Sequence, residues 1–262
     1  MSMTTARPLP VISLRFLPVW RRNLRVWRKL MLPSVLGNFG EPVLYLLAFG
    51  YGLGRLIGGI GELPYITFLA TGIVCGSVMN TASFECLYSA FTRMSQQQTW
   101  AAMLDAPLEV DDIVLGEILW AATKGLMSSA AIMVVAAVLG LIHGWLALWA
   151  LPVVFAGGFC FGALAMIMTA VSRSYDFFMY YFTLVMTPML LLSGVFFPLA
   201  SLPHAVAAGA LALPLAHVVL LVRPLLTGRV PTHPLLHLAV ILAYGLGAFW
   251  VATLVLRRRL MR

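Results

Sequence analysis

The stretch LLHLAVILAYGLGAFWVATLVLRRR, from Leu235 to Arg259, decides the fold of this 262-residue chain. Its first 22 residues contain no Lys, Arg, Asp or Glu, and three arginines follow them directly. A helix that crosses the hydrocarbon core of a bilayer needs about 20 predominantly apolar residues, and cations at its end interact with anionic lipid headgroups. The stretch is therefore predicted to be a transmembrane helix that ends at a membrane surface.

The composition of the whole chain extends this prediction. Hydrophobic residues make up 61% of the sequence and charged residues 10%, whereas ordinary soluble chains have about 45–50% and about 25%. A soluble domain, a nuclease, a disordered regulator and a disulfide scaffold are therefore excluded. Five earlier stretches are similarly apolar, at about 31–54, 65–91, 113–141, 149–171 and 177–197. The sequence predicts an all-α membrane protein with six transmembrane helices in one domain over residues 31–256.

A further apolar stretch, at about 198–226, is interrupted by prolines at positions 198, 203, 214 and 224. Each proline lacks a backbone N–H donor and kinks or ends a helix. We therefore expect two short helices that form a re-entrant or interfacial hairpin before the last span, and not a seventh span.

The distribution of basic residues predicts the orientation. If both termini are cytoplasmic, 13 of the 17 Lys and Arg residues lie on the cytoplasmic side and three lie outside. Such an excess satisfies the positive-inside rule. The chain is predicted to be a multi-pass protein of the bacterial inner membrane, with an even number of spans. The basic tail, residues 257–262, is assigned to lipid headgroups.

The first 30 residues contain an amphipathic pattern. Trp20, Leu24 and Trp27 recur at helical spacing, while Arg21, Arg25 and Arg28 fall on the opposite side. The pattern is typical of a cytoplasmic helix that lies in the membrane interface, where indole rings prefer the headgroup level. A basic flank that only directs membrane insertion is the alternative.

Polar residues inside the predicted spans are the first candidate site. A carboxylate at the bilayer centre costs about 2.5–3.5 kcal/mol and normally faces a helix bundle or water. The candidates for a substrate pathway are Glu41 in the first span and Ser77, Asn80, Thr81, Phe84, Glu85 and Tyr88 in the second. Helix packing is the alternative, with Glu85 or Glu117 paired to Lys124.

The loop at 92–112 is the second candidate site. It predicts a short helix through QQTWAAMLDA that ends at Pro107, followed by a cap-like Asp111-Asp112. A helix that exposes Trp100, Met103 and Leu104 can dock into a groove of a partner protein. Alternatively, the helix lies flat on the membrane.

The sequence contains no motif for catalysis or for binding a nucleotide. GxxxxGK[ST], GxSxG and HExxH are all missing, so no cofactor is expected on this chain. Ser193 is conceivable as an intramembrane nucleophile, but all five histidines fall in or near outer loops. His233 and His237 are four residues apart, yet two ligands do not make a metal site. The three cysteines are expected to be small buried residues.

Several stretches together resemble the type-2 ABC-transporter permease family, and within it the nodulation protein J subfamily. The matching stretches are EPVLYLLAFGYGLG from Glu41, YITFLATGIV from Tyr65, TWAAMLDAPLEVDDIVLGEILWAATKG from Thr99, LLSGVFFPLASLP from Leu191 and ALPLAHVVLLVRPLLTG from Ala212. The likeness covers roughly residues 20–260.

This resemblance implies a function as well as partners. Such permeases work as dimers with two separate ATPase subunits, which bind ATP and Mg. The subfamily exports an acylated chitin oligosaccharide, and related permeases export polysaccharides, often lipid-linked, or drugs. The chain is thus expected to be the membrane subunit of an exporter for an amphipathic glycan or glycolipid. A permease for another amphiphile is the alternative, and an intramembrane enzyme is a remote one.

The resemblance also assigns roles to segments. Residues 96–108 correspond to the coupling helix, which contacts the ATPase, and the broken stretch before the last span corresponds to outward gate helices. The expected ATPase contacts are Gln97, Thr99, Trp100, Met103, Leu104, Pro107 and Leu108. The expected gate residues are Phe196, Phe197, Pro198, Pro203 and Pro214.

Overall fold

A computed structural model describes residues 13–29 and 59–260, together with positions 10, 31, 44, 47, 48, 52 and 54. The predicted first span falls almost wholly outside these residues, and Glu41 lies outside them.

The described chain is almost entirely helical. Its helices are α1 (Phe16–Lys29), α2 (Tyr65–Phe84), α3 (Thr99–Leu104), α4 (Val110–Val138), α5 (Ala150–Val171), α6 (Asp176–Tyr181), α7 (Thr187–Leu192), α8 (His204–Ala210), α9 (Pro214–Leu226) and α10 (Pro234–Leu260). Two short strands, β1 (Gly59–Ile60) and β2 (Leu63–Pro64), form an antiparallel hairpin before α2. Wider π-helical turns over Glu85–Ala90 and Thr92–Gln96 extend α2, and another over Phe182–Met186 joins α6 to α7. Short 3-10 turns at Trp145–Trp149 and Leu199–Ser201 complete the elements.

Four helical segments in the described part of the chain are long and apolar enough to cross a membrane. They are Tyr65–Gln96, Val110–Val138, Trp145–Val171 and Pro234–Leu260. They confirm transmembrane-length helices at the second, third, fourth and sixth predicted spans. The fifth is represented by Asp176–Leu192, a shorter apolar helix.

The proline-rich stretch forms two short helices, as the sequence predicts. α8 and α9 meet at a bend of 86°. Pro203 precedes α8, and Pro214 occupies the first turn of α9, where a missing N–H costs no helical hydrogen bond.

Hydrogen bonds between helices hold the centre of the bundle together. The Ser77 and Ser128 hydroxyls lie 2.9 Å apart and join α2 to α4. Ser129 donates to the Val74 carbonyl at 2.9 Å. Small polar residues serve in this way between membrane helices because lipid offers their hydroxyls no partner. The cysteines at positions 75, 86 and 160 are free and buried, which confirms their expected role.

Candidate functional site

A buried cluster of charges lies where α2, α3 and α4 meet at one end of the bundle. Arg93, on the last π-helical turn of the α2 segment, contacts Glu117 of α4 at 2.5 Å and Glu85 at 2.9 Å. The Lys124 ammonium lies 2.8 Å from the other oxygen of Glu85. The structure therefore shows the Glu85–Lys124 pair that the packing interpretation required.

Glu117 is the centre of this cluster. Its side chain is 0% exposed and accepts hydrogen bonds from Arg93, from Trp100 Nε1 at 3.2 Å and from Asn23 Nδ2 at 3.0 Å. One carboxylate thus connects α1, the end of the α2 segment, α3 and α4. Removing one partner of a buried ion pair typically costs about 3–5 kcal/mol, because the other charge stays buried without compensation.

The expected exposure of Trp100 is wrong. Its side chain is fully buried, because its indole N–H reaches the Glu117 carboxylate. Met103, Leu104, Thr99 and Leu108 are half-buried. The positions between 97 and 107 that are exposed are Gln97, Gln98, Ala101, Ala102, Asp105, Ala106 and Pro107. The exposed side of α3 can therefore contact a partner protein. Trp100 lies on the buried side and attaches α3 to Glu117 of α4.

An apolar groove of about 320 Å³ lies between α1 and α3. Its lining residues are Pro18, Val19, Arg22, Thr99, Ala102, Met103 and Leu108. Three of the expected ATPase contacts are among them. Burial, together with the nearby Arg93 guanidinium, lowers the pKa of Arg22.

α1 is amphipathic, as predicted, but its tryptophans face the protein. Trp20 Nε1 donates to Thr123 Oγ1 at 3.0 Å, and the rings of Trp27 and Trp120 pack edge to face at 6.2 Å. Both indoles thus contact the bundle, and their position at the headgroup level stays a prediction. α1 lies close against α4 at Gly116, where an added Cβ would be 2.7 Å from Val19 Cβ.

The polar face of α1 follows the sequence pattern. Arg21, Arg25 and Arg28 are exposed, and Leu24 is half-buried. The described α1 therefore shows its charges to solvent or headgroups while its apolar side packs on α4.

An aromatic belt with an exposed part runs along the side of the bundle from the α2 segment to α6. Its exposed rings are Phe84, Tyr88 and Phe182, Tyr175 is half-buried, and Phe178 is buried. The rings of Phe84 and Tyr88 stack at 5.4 Å, and Tyr88 stacks on Tyr175 at 6.2 Å with an interplanar angle of 8°. Phe84 and Tyr88 are 38% and 36% exposed.

Rings on the α2 segment also contact rings in and after α6. Phe182 lies 5.6 Å from Phe84, and Phe178 packs edge to face on Tyr88. The Thr92 hydroxyl lies 2.8 Å from the Tyr175 hydroxyl. The belt thus presents aromatic faces and hydroxyl groups side by side.

The other predicted pathway residues divide into two groups. Ser77 and Glu85 are buried in contacts between helices, which is the packing role that the sequence left open. Asn80 and Thr81 are half-buried. The structure therefore brings Phe84 and Tyr88 to the surface together, but it does not bring all six polar and aromatic side chains of the second span to one exposed face.

At the opposite end of the bundle, Arg223 of α9 holds the turn after α7. Its Nη2 donates to the Gly194 carbonyl at 2.7 Å, and its Nε donates to Thr71 Oγ1 at 3.0 Å. The guanidinium lies 3.6 Å from the centre of the Phe68 ring. Sequence reasoning placed Arg223 on the outer side of the membrane and missed this role, because the partners lie up to 155 positions away.

This turn sits very close to α2. A Cβ added to Gly72 would lie 2.3 Å from the Val195 carbonyl oxygen, so only glycine fits there. Of the expected gate residues, Phe196, Phe197 and Pro198 are half-buried, Pro203 is exposed and Pro214 is buried. We call residues 193–198 the gate turn.

The histidines do not assemble as a metal site. His237 Nδ1 lies 2.8 Å from His217 Nδ1, and both side chains are buried. Among the residues that the structure describes, no group of three metal-ligating side chains comes together. The Ser193 hydroxyl is buried and has no hydrogen-bond partner within the same residues, so no base is paired with it there.

The C-terminal arginines act within the protein as well as at its surface. Arg257 Nε donates to Asp111 Oδ1 at 2.7 Å, which ties the end of α10 to the start of α4. Arg259 donates to the carbonyls of Thr169, Ala170 and Ser172, at 3.0, 3.0 and 2.7 Å. Headgroup binding therefore does not account for these two arginines.

Comparison with known proteins finds matches over most of the chain. Residues 16–226 match the family model described as ABC-2 type transporter. Nodulation protein J from Rhizobium leguminosarum bv. viciae is 48% identical, over 97% of this chain and 98% of that protein. Nodulation protein J from Rhizobium meliloti (strain 1021) is 44% identical, over 97% of both chains. Inner membrane transport permease YadH from Escherichia coli (strain K12) is 27% identical over 70% of this chain and 69% of that protein.

Proposed function

Because the chain belongs to the ABC-2 type transporter family, we propose that it is the membrane subunit of an ATP-driven exporter for an amphipathic glycan or glycolipid. The family consists of transport permeases of the bacterial inner membrane, so this chain is not itself an enzyme. The cargo class is that of a lipo-chitooligosaccharide. The similarity to relatives named nodulation protein J supports this class.

The aromatic belt is the observation that carries the cargo assignment. Aromatic faces offer large apolar contact area, and the hydroxyls of Tyr88, Thr92 and Tyr175 offer hydrogen bonds. A sugar chain with an acyl tail needs both kinds of contact. We propose that the belt lines the export route, with Asn80 and Thr81 near it, while Glu41, which lies outside the described residues, stays a candidate from the sequence.

In a dimer, the belts of the two chains can form the walls of the export route. The belt rings of Phe84, Tyr88 and Phe182 are between 36% and 38% exposed in a single chain, and Phe84 contacts both of the others. A contiguous exposed aromatic surface marks an interaction or ligand-binding site. Two copies that face each other across their belts enclose a route walled by aromatic rings on both sides.

The energy source is a separate ATPase that docks on α3. The partner binds ATP and Mg, and two ATPase copies serve one permease dimer. We place its contact on the exposed side of α3, at Gln97, Ala102 and Pro107, with a side chain of the ATPase in the apolar groove between α1 and α3. The Trp100–Glu117 hydrogen bond then passes the motion of α3 to the third span.

The topology follows from the charges. We propose six spans with both termini cytoplasmic, α1 at the cytoplasmic membrane surface, and the gate turn on the outer side. The α3 end of the bundle carries Arg93 and the arginines at the end of α10, and the positive-inside rule favours the cytoplasm for such an end.

Transport into vesicles tests the cargo assignment. The permease and its ATPase are reconstituted, and ATP-dependent uptake of an acylated chitin oligosaccharide is measured in inverted vesicles. Tyr88→Ala is expected to lower uptake at least about tenfold, the loss of about 1.4 kcal/mol of contact energy. The matched control is Trp149→Ala, since Trp149 is 58% exposed and lies outside the belt. Equal uptake by both variants, or uptake of a drug alone, contradicts this assignment.

A further inference from the structure

A cleft of about 490 Å³ lies between the ends of α5 and α10, at the same end of the bundle as α3. Its lining residues are Ala170, Val171, Arg173, Val255, Arg258 and Arg259. Three arginines and three apolar residues thus share one cavity. Neither the export route nor the ATPase contact uses any of them.

The charge of the cleft is not balanced within the described part of the chain. Arg173, Arg258 and Arg259 form no ion pair with a described carboxylate, whereas the neighbouring Arg257 pairs with Asp111. Arg259 is held in place by three backbone carbonyls at the C-terminal end of α5. These carbonyls carry the negative end of the helix dipole, so Arg259 is partly compensated. The exposed Arg173 and Arg258 remain as cations that face the cleft.

The walls of the cleft are apolar. Val171 is 55% exposed at the end of a membrane-length helix, and Val255 lies on α10, also of membrane length. The cleft therefore lies at the boundary between hydrocarbon and headgroups. A ligand with an anionic head and an apolar body satisfies both halves, and basic pockets between membrane helices on the cytoplasmic side bind such headgroups.

We propose that this cleft binds one anionic phospholipid of the inner leaflet, with its phosphate at Arg173 and Arg258 and an acyl chain along Val171 and Val255. Arg259 shapes the site by fixing the end of α5. The leaflet assignment rests on the proposed topology, whereas the binding chemistry does not. Lipid bound here links the end of the fourth span to that of the sixth.

Native mass spectrometry of the full-length chain with its ATPase tests the proposal. The complex is titrated in detergent with phosphatidylglycerol, with phosphatidylethanolamine and with inorganic phosphate. One phosphatidylglycerol per chain is expected to bind more tightly than phosphatidylethanolamine. Arg173→Gln combined with Arg258→Gln is expected to weaken it about thirtyfold, at about 1 kcal/mol for each charge. The paired change to lysine keeps the charges and is expected to retain most of the affinity.

The matched control changes Arg21 and Arg28 to Gln, which removes the same charge from exposed positions on α1. An equal loss in this control indicates diffuse attraction and overturns the site. Inorganic phosphate that binds as tightly as the lipid also overturns the proposal, in favour of a free-anion site. If the variant with Gln at positions 173 and 258 binds the lipid unchanged but loses the ATPase, the two arginines contact the ATPase and the lipid site is overturned. Because the readout is binding and not transport, a failed cargo assignment leaves the result interpretable.

Discussion

The Trp100 indole and the Glu117 carboxylate form a hydrogen bond of 3.2 Å, and both side chains are fully buried. The bond connects the short helix α3 to the third span. Arg93 binds the same carboxylate and is also paired with Glu85 of the second span. A displacement of α3 by a docked partner therefore acts on the second and third spans at once. It acts through buried hydrogen bonds and ion pairs, which cost free energy to break.

Replacement of Trp100 by Phe tests this connection. The ring remains, but Glu117 loses one donor, and a hydrogen bond to a charged group is worth about 1.5–3 kcal/mol. We expect the ATPase to stay bound while the cargo moved per ATP hydrolysed falls. The measurement is the ratio of transport to hydrolysis in vesicles. An unchanged ratio contradicts a coupling role for this bond, and loss of the ATPase shows that Trp100 contributes to the docking surface.

Filling the groove between α1 and α3 tests the docking site. Ala102 lines the groove and is exposed, so Ala102→Trp is expected to block the ATPase without affecting membrane insertion. Co-purification of the ATPase with the permease is the measurement. Ala208→Trp is the control, because Ala208 is exposed on α8 and lies outside both the groove lining and the partner surface of α3. Equal retention of the ATPase by both variants places the contact elsewhere.

Gly72→Ala tests whether the close contact with α2 holds the gate turn in its position. The new Cβ lies 2.3 Å from a backbone carbonyl, which cannot move without displacing the turn. We expect a cysteine at Ser201 to label faster with an impermeant thiol reagent. Gly76→Ala is the control, since its Cβ meets only the end of the flexible Leu190 side chain, at 2.9 Å. Equal labelling rates in the two variants refute the proposed contact.

The orientation is tested with the same reagent in intact cells. Cysteines placed at Thr5 and Leu260 are expected to stay unlabelled, because the basic residues hold both ends in the cytoplasm. A cysteine at Glu62, whose side chain is 78% exposed beside β2, is expected to be labelled. The native cysteines are buried and give little background. Labelling of either terminus from outside reverses the topology.

The helices of the bundle were predictable from the sequence because lipid selects for long apolar stretches. The segments at 110–138 and 234–260 match runs of low charge. The break between α8 and α9 was predictable because Pro203 and Pro214 restrict where helices begin. These features depend on residues that are close together in the sequence, so they can be predicted without knowledge of tertiary contacts.

The roles of individual polar side chains were harder to predict. Trp100 was predicted to be exposed and to contact the ATPase. Its hydrogen-bond acceptor, Glu117, lies 17 positions away on another helix, so the local sequence did not show that Trp100 is buried. Arg223 was assigned only to the outer side, because its carbonyl partners are distant in the sequence. The pairing of Lys124 with Glu85 was foreseen as one of two options, since a buried cation needs a carboxylate but two were near.

The most direct test of the central claim, that the aromatic belt lines the export route, is cross-linking to the cargo. A photoreactive phenylalanine analogue replaces Tyr88 in one variant and Trp149 in another, and each is illuminated with a labelled acylated chitin oligosaccharide in vesicles that contain the ATPase. The proposal predicts cross-linked cargo at position 88, with a yield that changes on addition of ATP and Mg, and none at position 149. Equal cross-linking at the two positions, or none at position 88 in a complex that transports, would contradict it.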